Sequence, residues 1–509
     1  MNIVIRADAS IYIGSGHIMR CLVLASVLKE HGHQVSFASR PQQGDLIDFV
    51  RNKGFLVKEL VAPTHWLIPK DSADYAAWLQ VPWQEDAQSF FQQVDSVDIV
   101  IVDHYGLNSE WEALCRAHLE CKLFAIDDLL RQHQAEVVLD QTLSRTAIDY
   151  RQLNANGIAL TGCDFALLNS NFAKYRKKAL QTSLLPLQPK VLVSMGGIDQ
   201  PNATLQTLKT LSSIKGDKPL LTVLLSPKAP HYQIVKNFCT EQSSWITHVD
   251  FVENMAELML NHHVAIGAPG TTSWERACLG LPNIIVPLAD NQRTISEQLV
   301  KVGAAIKVDL SDLSRQLLTA YQTMLDSWDH MRLANLSLCD GLGVFRVTHC
   351  INQLSENNNN QIVLKAASES DTKQVYDWQV LPETRKYALT QDTPTWEGHQ
   401  KWMKAKLAAT SDYFYMIESL LVEENVGVVR LDKKIDNRYL ISIFIDPKYF
   451  GQGVAKQALA YVDLLHSNIT IEATVLAENI ASQRLFTTAN YYQVAPDSFV
   501  RSPLNREIK

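Results

Sequence analysis

Apolar residues along this chain follow two alternating rhythms. Short β-rich runs at Ile3–Ile5, Gln34–Ser39, Phe55–Leu60, Val97–Asp103 and Lys122–Asp128 are separated by segments of helical length. The first of these segments carries Ile18, Leu22, Ala25 and Leu28 at helical spacing. Such alternation predicts a parallel sheet with helices on both faces, because parallel strands need crossover connections. The stretch Lys174–Pro189 turns basic and then Leu- and Pro-containing, which suits a linker. The rhythm then restarts with Lys190–Met195, Leu220–Ser226, Val264–Ala268, Asn283–Leu288 and Ala305–Val308. Two α/β halves facing each other across a cleft are expected. The run Glu356–Gln361 (ENNNNQ) has no means of burying a core and marks a second boundary. Beyond it, Ile362–Ala366 reads as a strand, Ser368–Asp371 as a helix cap, Tyr439–Asp446 as a central strand and Gln457–Leu465 as an apolar helix. The expected domains are 1–175, 186–355 and 362–509, with 356–361 as a linker.

At 509 residues the chain is too long for one core. Its 47 basic and 54 acidic residues give a net charge of −7, with no basic block. That balance argues against a nucleic-acid partner and against an anionic membrane surface. No segment is long and apolar enough to span a bilayer, and the N-terminus enters a strand without a signal-peptide pattern, so a cytoplasmic location is expected. The eight cysteines include no C-x-x-C pair, which suits reduced thiols rather than zinc ligands or a disulfide frame.

Candidate chemistry gathers where strands end. Between the first strand and first helix lies RADASIYIGSGHIMR, Arg6–Arg20. Gly14 and Gly16 allow close backbone approach to a phosphate or sugar, and His17 is the one side chain of the loop suited to proton transfer near neutral pH. The combination favours catalysis over simple helix capping. Asp103-His104-Tyr105 and Asp127-Asp128 end two further strands at the same edge, as caps or as substrate contacts. In the second half, Gly196-Gly197-Ile198-Asp199 precedes a helix opening near Asn202. The richest stretch is Gly267–Gln292, with a helix bearing Glu275 and a second helix opened by Asn291 and Gln292. A carboxylate in the first turn of such a helix can accept both hydroxyls of a ribose while the helix end receives diphosphate. In the rear domain, Lys448–Ala455 (KYFGQGVA) is a glycine turn before a helix, a second place for backbone amides to cradle a diphosphate. No cluster has divalent-metal spacing, so metal independence is expected.

These stretches, with DHYGLNSEWE (Asp103–Glu112), IDDL (Ile126–Leu129) and SMGGIDQPN (Ser194–Asn202), resemble the UDP-2,4-diacetamido-2,4,6-trideoxy-β-L-altropyranose hydrolases of pseudaminic acid biosynthesis. The resemblance runs over roughly residues 1–350. That family is similar to inverting nucleotide-sugar transferases with two Rossmann-like lobes (GT-B type), including the lipid II-forming enzyme MurG. It implies His17 as catalytic base, with Asn202 and Glu275 touching substrate and nucleotide. Gly14, Gly16, Tyr105, Asn291 and Gln292 fall in the matching cleft motifs as further substrate-binding positions. Val475–Tyr492, with Asn479, Ser482, Leu485, Phe486 and Tyr491, resembles the cofactor helix of the Gcn5-related (GNAT) acetyltransferases, an α+β fold. This second resemblance implies acetyl-CoA as co-substrate. Its pyrophosphate would lie on the amides of Gln452, Gly453, Val454 and Ala455, its pantetheine along Ile443–Ile445, and its arm against Asn479. Trp378–His399, with Arg385, Trp396 and His399, is similar to that group's substrate-side helices or is a packed helical hairpin. Together the two halves imply acetylation of the 4-amino group of a UDP-amino sugar followed by release of UDP. The alternative is a UDP-sugar glycosyltransferase carrying a non-catalytic GNAT-like binding domain.

Overall fold

In the computed structural model, β1 (Asn2–Ala7) is buried over its last five positions, as a strand flanked on both sides in a parallel sheet must be. The structure describes residues 1–504 apart from 72, 156, 182, 183, 290, 291, 356–361, 391 and 436. The expected linker at 356–361 lies outside the described residues. The first sheet continues with β2 (Gln34–Ser39), β3 (Leu56–Glu59), β4 (Ile99–Asp103), β5 (Lys122–Ile126), β6 (Val137–Asp140) and β7 (Ile158–Thr161). All are parallel, in the order β3-β2-β1-β4-β5-β6-β7. The second sheet comprises β8 (Lys190–Ser194), β9 (Leu220–Leu224), β10 (Ile246–Val249), β11 (Val264–Gly267), β12 (Asn283–Ile285) and β13 (Ala305–Lys307). It is parallel in the order β10-β9-β8-β11-β12-β13. Strand order therefore reverses between β1 and β4 in one lobe and between β8 and β11 in the other. Loops leaving such neighbours diverge to opposite faces and open a crevice at the carboxyl ends of the strands.

The expected linker is shorter than its composition suggested. Lys174–Ala179 completes the helix Ser170–Ala179, and the reason is visible at Arg176. Its guanidinium donates to the backbone oxygens of Cys278, Leu336 and Cys339, closing helix ends of the second lobe. Phe172 and Ala179 share a core with Leu192, Ala265, Ala277 and Leu281. Both lobes thus belong to one compact unit, Met1–Val344, and the second unit is Phe345–Lys509. The helix Gly343–Ser355 accordingly goes with the rear unit rather than with the lobe before it, ahead of the Asn-rich run that suggested the boundary. Arg346 is fully buried and its Nε donates to Leu364 O at 2.7 Å, while His349 stacks on Tyr461 with ring centroids 3.9 Å apart.

The rear sheet contains β14 (Ile362–Ala366), β15 (Tyr413–Ser419), β16 (Glu424–Lys433), β17 (Arg438–Ile445), β18 (Thr470–Thr474), β19 (Tyr492–Ala495) and β20 (Ser498–Arg501). The order is β14-β15-β16-β17-β18-β20-β19, antiparallel except between β17 and β18. That single parallel pair spans only Arg438–Leu440 against Thr470–Glu472, so the two strands part after Leu440. The helix after β17 begins at Val454, earlier than the apolar pattern indicated. No helix among the described residues is long and apolar enough to cross a membrane. All eight cysteines are buried.

Candidate functional site

The loop after β1 leads into the helix Gly16–Glu30, whose N-cap Ser15 makes no side-chain capping bond. His17 and Arg20 are one turn apart on this helix and both are buried. Parallel pairing sets Asp103 of β4 opposite Ala7 of β1, which brings the carboxylate beneath that turn. His17 Nδ1 lies 2.6 Å from Asp103 Oδ1. Arg20 grips the same carboxylate twice, Nε to Oδ2 and Nη2 to Oδ1, each at 2.7 Å, and Cys21 Sγ approaches Oδ2 at 3.3 Å. Arg20 Nη1 also donates to Asp128 Oδ2 at 2.5 Å, where the Tyr105 hydroxyl donates at 2.7 Å. The Tyr105 ring then returns to His17, edge-on with centroids 4.7 Å apart, with Trp78 stacked behind it. Burial would raise the Asp103 pKa, but the charges of Arg20 and His17 outweigh it and hold the group well below the usual carboxylate range. His17 Nε2 has no partner among the described residues.

Across the crevice, a Cβ added to Gly197 would come within 4.0 Å of Ser15 Oγ, so the glycine turn after β8 meets the His17 loop. In this turn Asp199 and Asn202 both take left-handed backbone angles, φ 44° and 58°. Asp199 caps the helix Ala203–Ser212, its carboxylate accepting from the amides of Ala203 and Thr204 at 2.9 Å. Asn202 Oδ1 is buried without a partner. At the end of β11, a Cβ on Gly267 would stand 2.2 Å from Ser194 O, so glycine there is what lets β8 and β11 close together.

Glu275 lies in the second turn of the helix Thr271–Cys278, not the first as expected, because the helix begins at Thr271, directly after the glycine turn. Burial pushes its carboxyl up to about 7, opposed in part by Arg276, and Oε2 is buried without a partner. Gln292 stands at the N-cap of the helix Arg293–Lys301 without a side-chain cap bond, its Oε1 accepting instead from Leu288 N at 2.8 Å. Asn291 lies outside the described residues.

In the rear unit, the helix Val454–Leu465 starts at Gly453, φ 79°, with no side-chain cap, and a Cβ on Gly451 or Gly453 would meet nothing within 4 Å. The Gln452 amide reaches Tyr449 O at 3.4 Å, leaving the helix's first turn as the open part of the expected cradle. Ile443 and Ile445 pair with Val429 and Gly427 of β16, whereas their other side faces the gap left where β18 departs. Asn479 caps the helix Ile480–Thr488, its Oδ1 accepting from Ser482 N at 3.1 Å. Among the expected substrate-side residues, Trp378 donates its indole N–H to Asp446 at 2.9 Å and His399 Nε2 bonds Thr372 O at 2.9 Å. Arg385 bonds the backbone oxygens of Gln379 and Thr390, so His399 and Arg385 tie these helical segments to one another while Trp378 ties its helix to the end of β17.

The structure thus brings together His17, Tyr105, Gly14 and Gly16 at one switch point and Asn202 and Glu275 near the other. It adds Arg20, which sequence reading did not single out, and draws in Asp103 and Asp128, expected as caps or substrate contacts, and Asp199 of the expected glycine loop. A buried arginine one turn after a histidine was the available signal for Arg20. Asp199 announced itself only as part of a turn.

Comparison with known proteins gives two family matches. Residues 196–334 match the glycosyltransferase family 28 C-terminal domain and residues 361–491 match the acetyltransferase (GNAT) domain. An uncharacterized protein of Methanocaldococcus jannaschii is 22% identical over 506 residues, covering 96% of each chain. The UDP-2,4-diacetamido-2,4,6-trideoxy-beta-L-altropyranose hydrolase of Campylobacter jejuni is 24% identical over 313 residues, 60% of this chain and 99% of that protein. Among solved structures, MurG of Acinetobacter baumannii is similar with a TM-score of 0.48 at 16% identity, covering 69% of this chain and 99% of that one.

Proposed function

The chain joins a front unit similar to UDP-sugar hydrolases to a GNAT acetyltransferase domain, and from that premise we propose that it performs two consecutive steps on one nucleotide sugar. The rear unit acetylates the 4-amino group of a UDP-4-amino-4,6-dideoxy sugar. The front unit hydrolyses the resulting UDP-2,4-diacetamido-2,4,6-trideoxy-β-L-altropyranose to UDP and the free sugar, as in pseudaminic acid biosynthesis.

What carries the reading is His17, an imidazole with an unpartnered Nε2 at a switch point, on the loop that meets the opposite lobe's glycine turn. Nε2 takes a proton from water as it attacks the sugar, a contribution of about 10²–10⁴ in rate. The uncapped first turn of the His17 helix and the glycine-turn amides receive the charge of the departing diphosphate. Glu275 and Asn202, each with a buried oxygen lacking a partner, hold the ribose and the substrate's polar groups.

The rear cradle suits acetyl-CoA. The uncapped first turn beginning at Val454 would hold its pyrophosphate, and the unpaired side of β17 from Ile441 to Ile445 would hold its pantetheine by strand-like hydrogen bonds. When bound, acetyl-CoA supplies a thioester-activated acetyl group. Asn479, its oxygen committed to the helix cap, keeps its amide nitrogen for the cofactor arm.

Incubation with the UDP-diacetamido sugar and no acceptor tests the front-unit reading. UDP and free reducing sugar should form in equal amounts, and His17→Ala should lower the rate at least 100-fold while acetyl transfer from acetyl-CoA persists. UDP release that depends on an added acceptor would indicate a glycosyltransferase instead.

A further inference from the structure

The contacts around His17 form a closed circuit. From Nδ1 the path runs to Asp103, through the Arg20 guanidinium to Asp128, to the Tyr105 hydroxyl, and back through the Tyr105 ring to the imidazole. Asp103 is fully buried, and its two oxygens take four contacts, from His17, from Arg20 twice and from Cys21. An ionised carboxylate only accepts hydrogen bonds, so the nitrogen 2.6 Å from it must carry the proton. A neutral imidazole whose Nδ1 is protonated has its lone pair on Nε2, the nitrogen left without a protein partner.

We propose that Asp103 is the positioning residue of the front-unit reaction, fixing His17 in the Nδ1–H tautomer so that Nε2 faces the attacking water. The inference rests on the hydrolase reading of His17. Arg20 has a distinct part in it. Its bidentate grip fixes the carboxylate plane and offsets the Asp103 charge, so Asp103 selects the tautomer without a bare buried charge beside the ring. Tyr105, expected from sequence to touch substrate, serves here as the edge against which the imidazole rests.

The test begins with the full-length wild-type chain labelled with nitrogen-15 histidine, its His17 signals assigned by comparison with His17→Gln. The Nδ1–H tautomer should be present near neutral pH, and an Nε2–H tautomer overturns the proposal without any variant that must fold. Asp103→Asn keeps the shape but can present an N–H to the ring, favouring the other tautomer. It should lower kcat for UDP release by about 10²–10⁴ with KM little changed. Combined with His17→Gln it should cost nothing further, because the aspartate acts through the histidine. An Asp103→Asn enzyme with unaltered kcat, or with losses that multiply those of His17→Gln, overturns the positioning role. Persistent hydrolysis in His17→Gln alone would instead overturn the reading of His17 as the base on which the inference rests.

Discussion

Glu275 and His133 are both raised from their ordinary values, for opposite reasons. Burial holds the Glu275 carboxyl at about 7, and only in its ionised form are both oxygens pure acceptors for a pair of ribose hydroxyls. Uridine diphosphate should therefore bind about tenfold more tightly at pH 8 than at pH 6, and Glu275→Gln should remove this component from the pH dependence measured by calorimetry. His133 is also buried, which alone would lower its pKa, but contacts with Asp127 at 3.3 Å and Glu112 at 2.7 Å raise it to about 9. Since the folded value exceeds the unfolded one, its stabilisation is complete below about pH 6.5 and is lost as pH rises through about 9. Thermal denaturation between pH 6 and pH 10 should show a loss of roughly 2–3 kcal/mol that His133→Gln lacks. Sequence reading singled out His17 and Glu275 as candidates from their places in loops and helices. It could not pair His17 with Asp103, 86 positions away, because only the register of β1 against β4 brings them together.

At the scale of elements, sequence reading missed five strands of the rear unit, β15, β16, β18, β19 and β20, and in the front unit β6 (VVLD), β7 (IALT) and β10 (ITHV). The three front-unit strands have four residues each, too few to display a period, and β7 and β10 are edge strands. The runs at β1, β4 and β8 were legible because burial makes them almost continuously apolar, and β17 because its apolar run stops at Asp446-Pro447. Lys174–Ala179 misled for a different reason. Its basic residues looked solvated, but Arg176 spends its charge on three carbonyl groups that no composition would disclose. The Val454 helix gives a direct test of the rear cradle. Gly453→Val places a branched side chain at φ 79° and over the first turn. It should raise KM for acetyl-CoA at least tenfold in a thiol-release assay while UDP release by the front unit stays at the wild-type rate.

For the whole molecule, the two compact units meet in sequence at Val344 and Phe345, within one helix. A rear fragment starting at Leu342 retains Arg346 and its bond to Leu364, together with the His349–Tyr461 stack. A fragment starting at Ile362 loses both and bares the buried surface that Val347 and Ile351 help to form. We expect the longer fragment to unfold cooperatively on heating and the shorter one to aggregate or melt at least 10 °C lower, as read by circular dichroism. If the two proposed reactions are consecutive, placing them on one chain raises the effective concentration of their shared intermediate.

The left-handed turn from Asp199 to Asn202 has a corollary for exchange at position 202. A glycine there would take the same backbone angle without the Cβ penalty an asparagine carries. It would also delete the amide whose oxygen is buried without a partner. If that amide holds substrate as proposed, position 202 trades ease of the turn against grip.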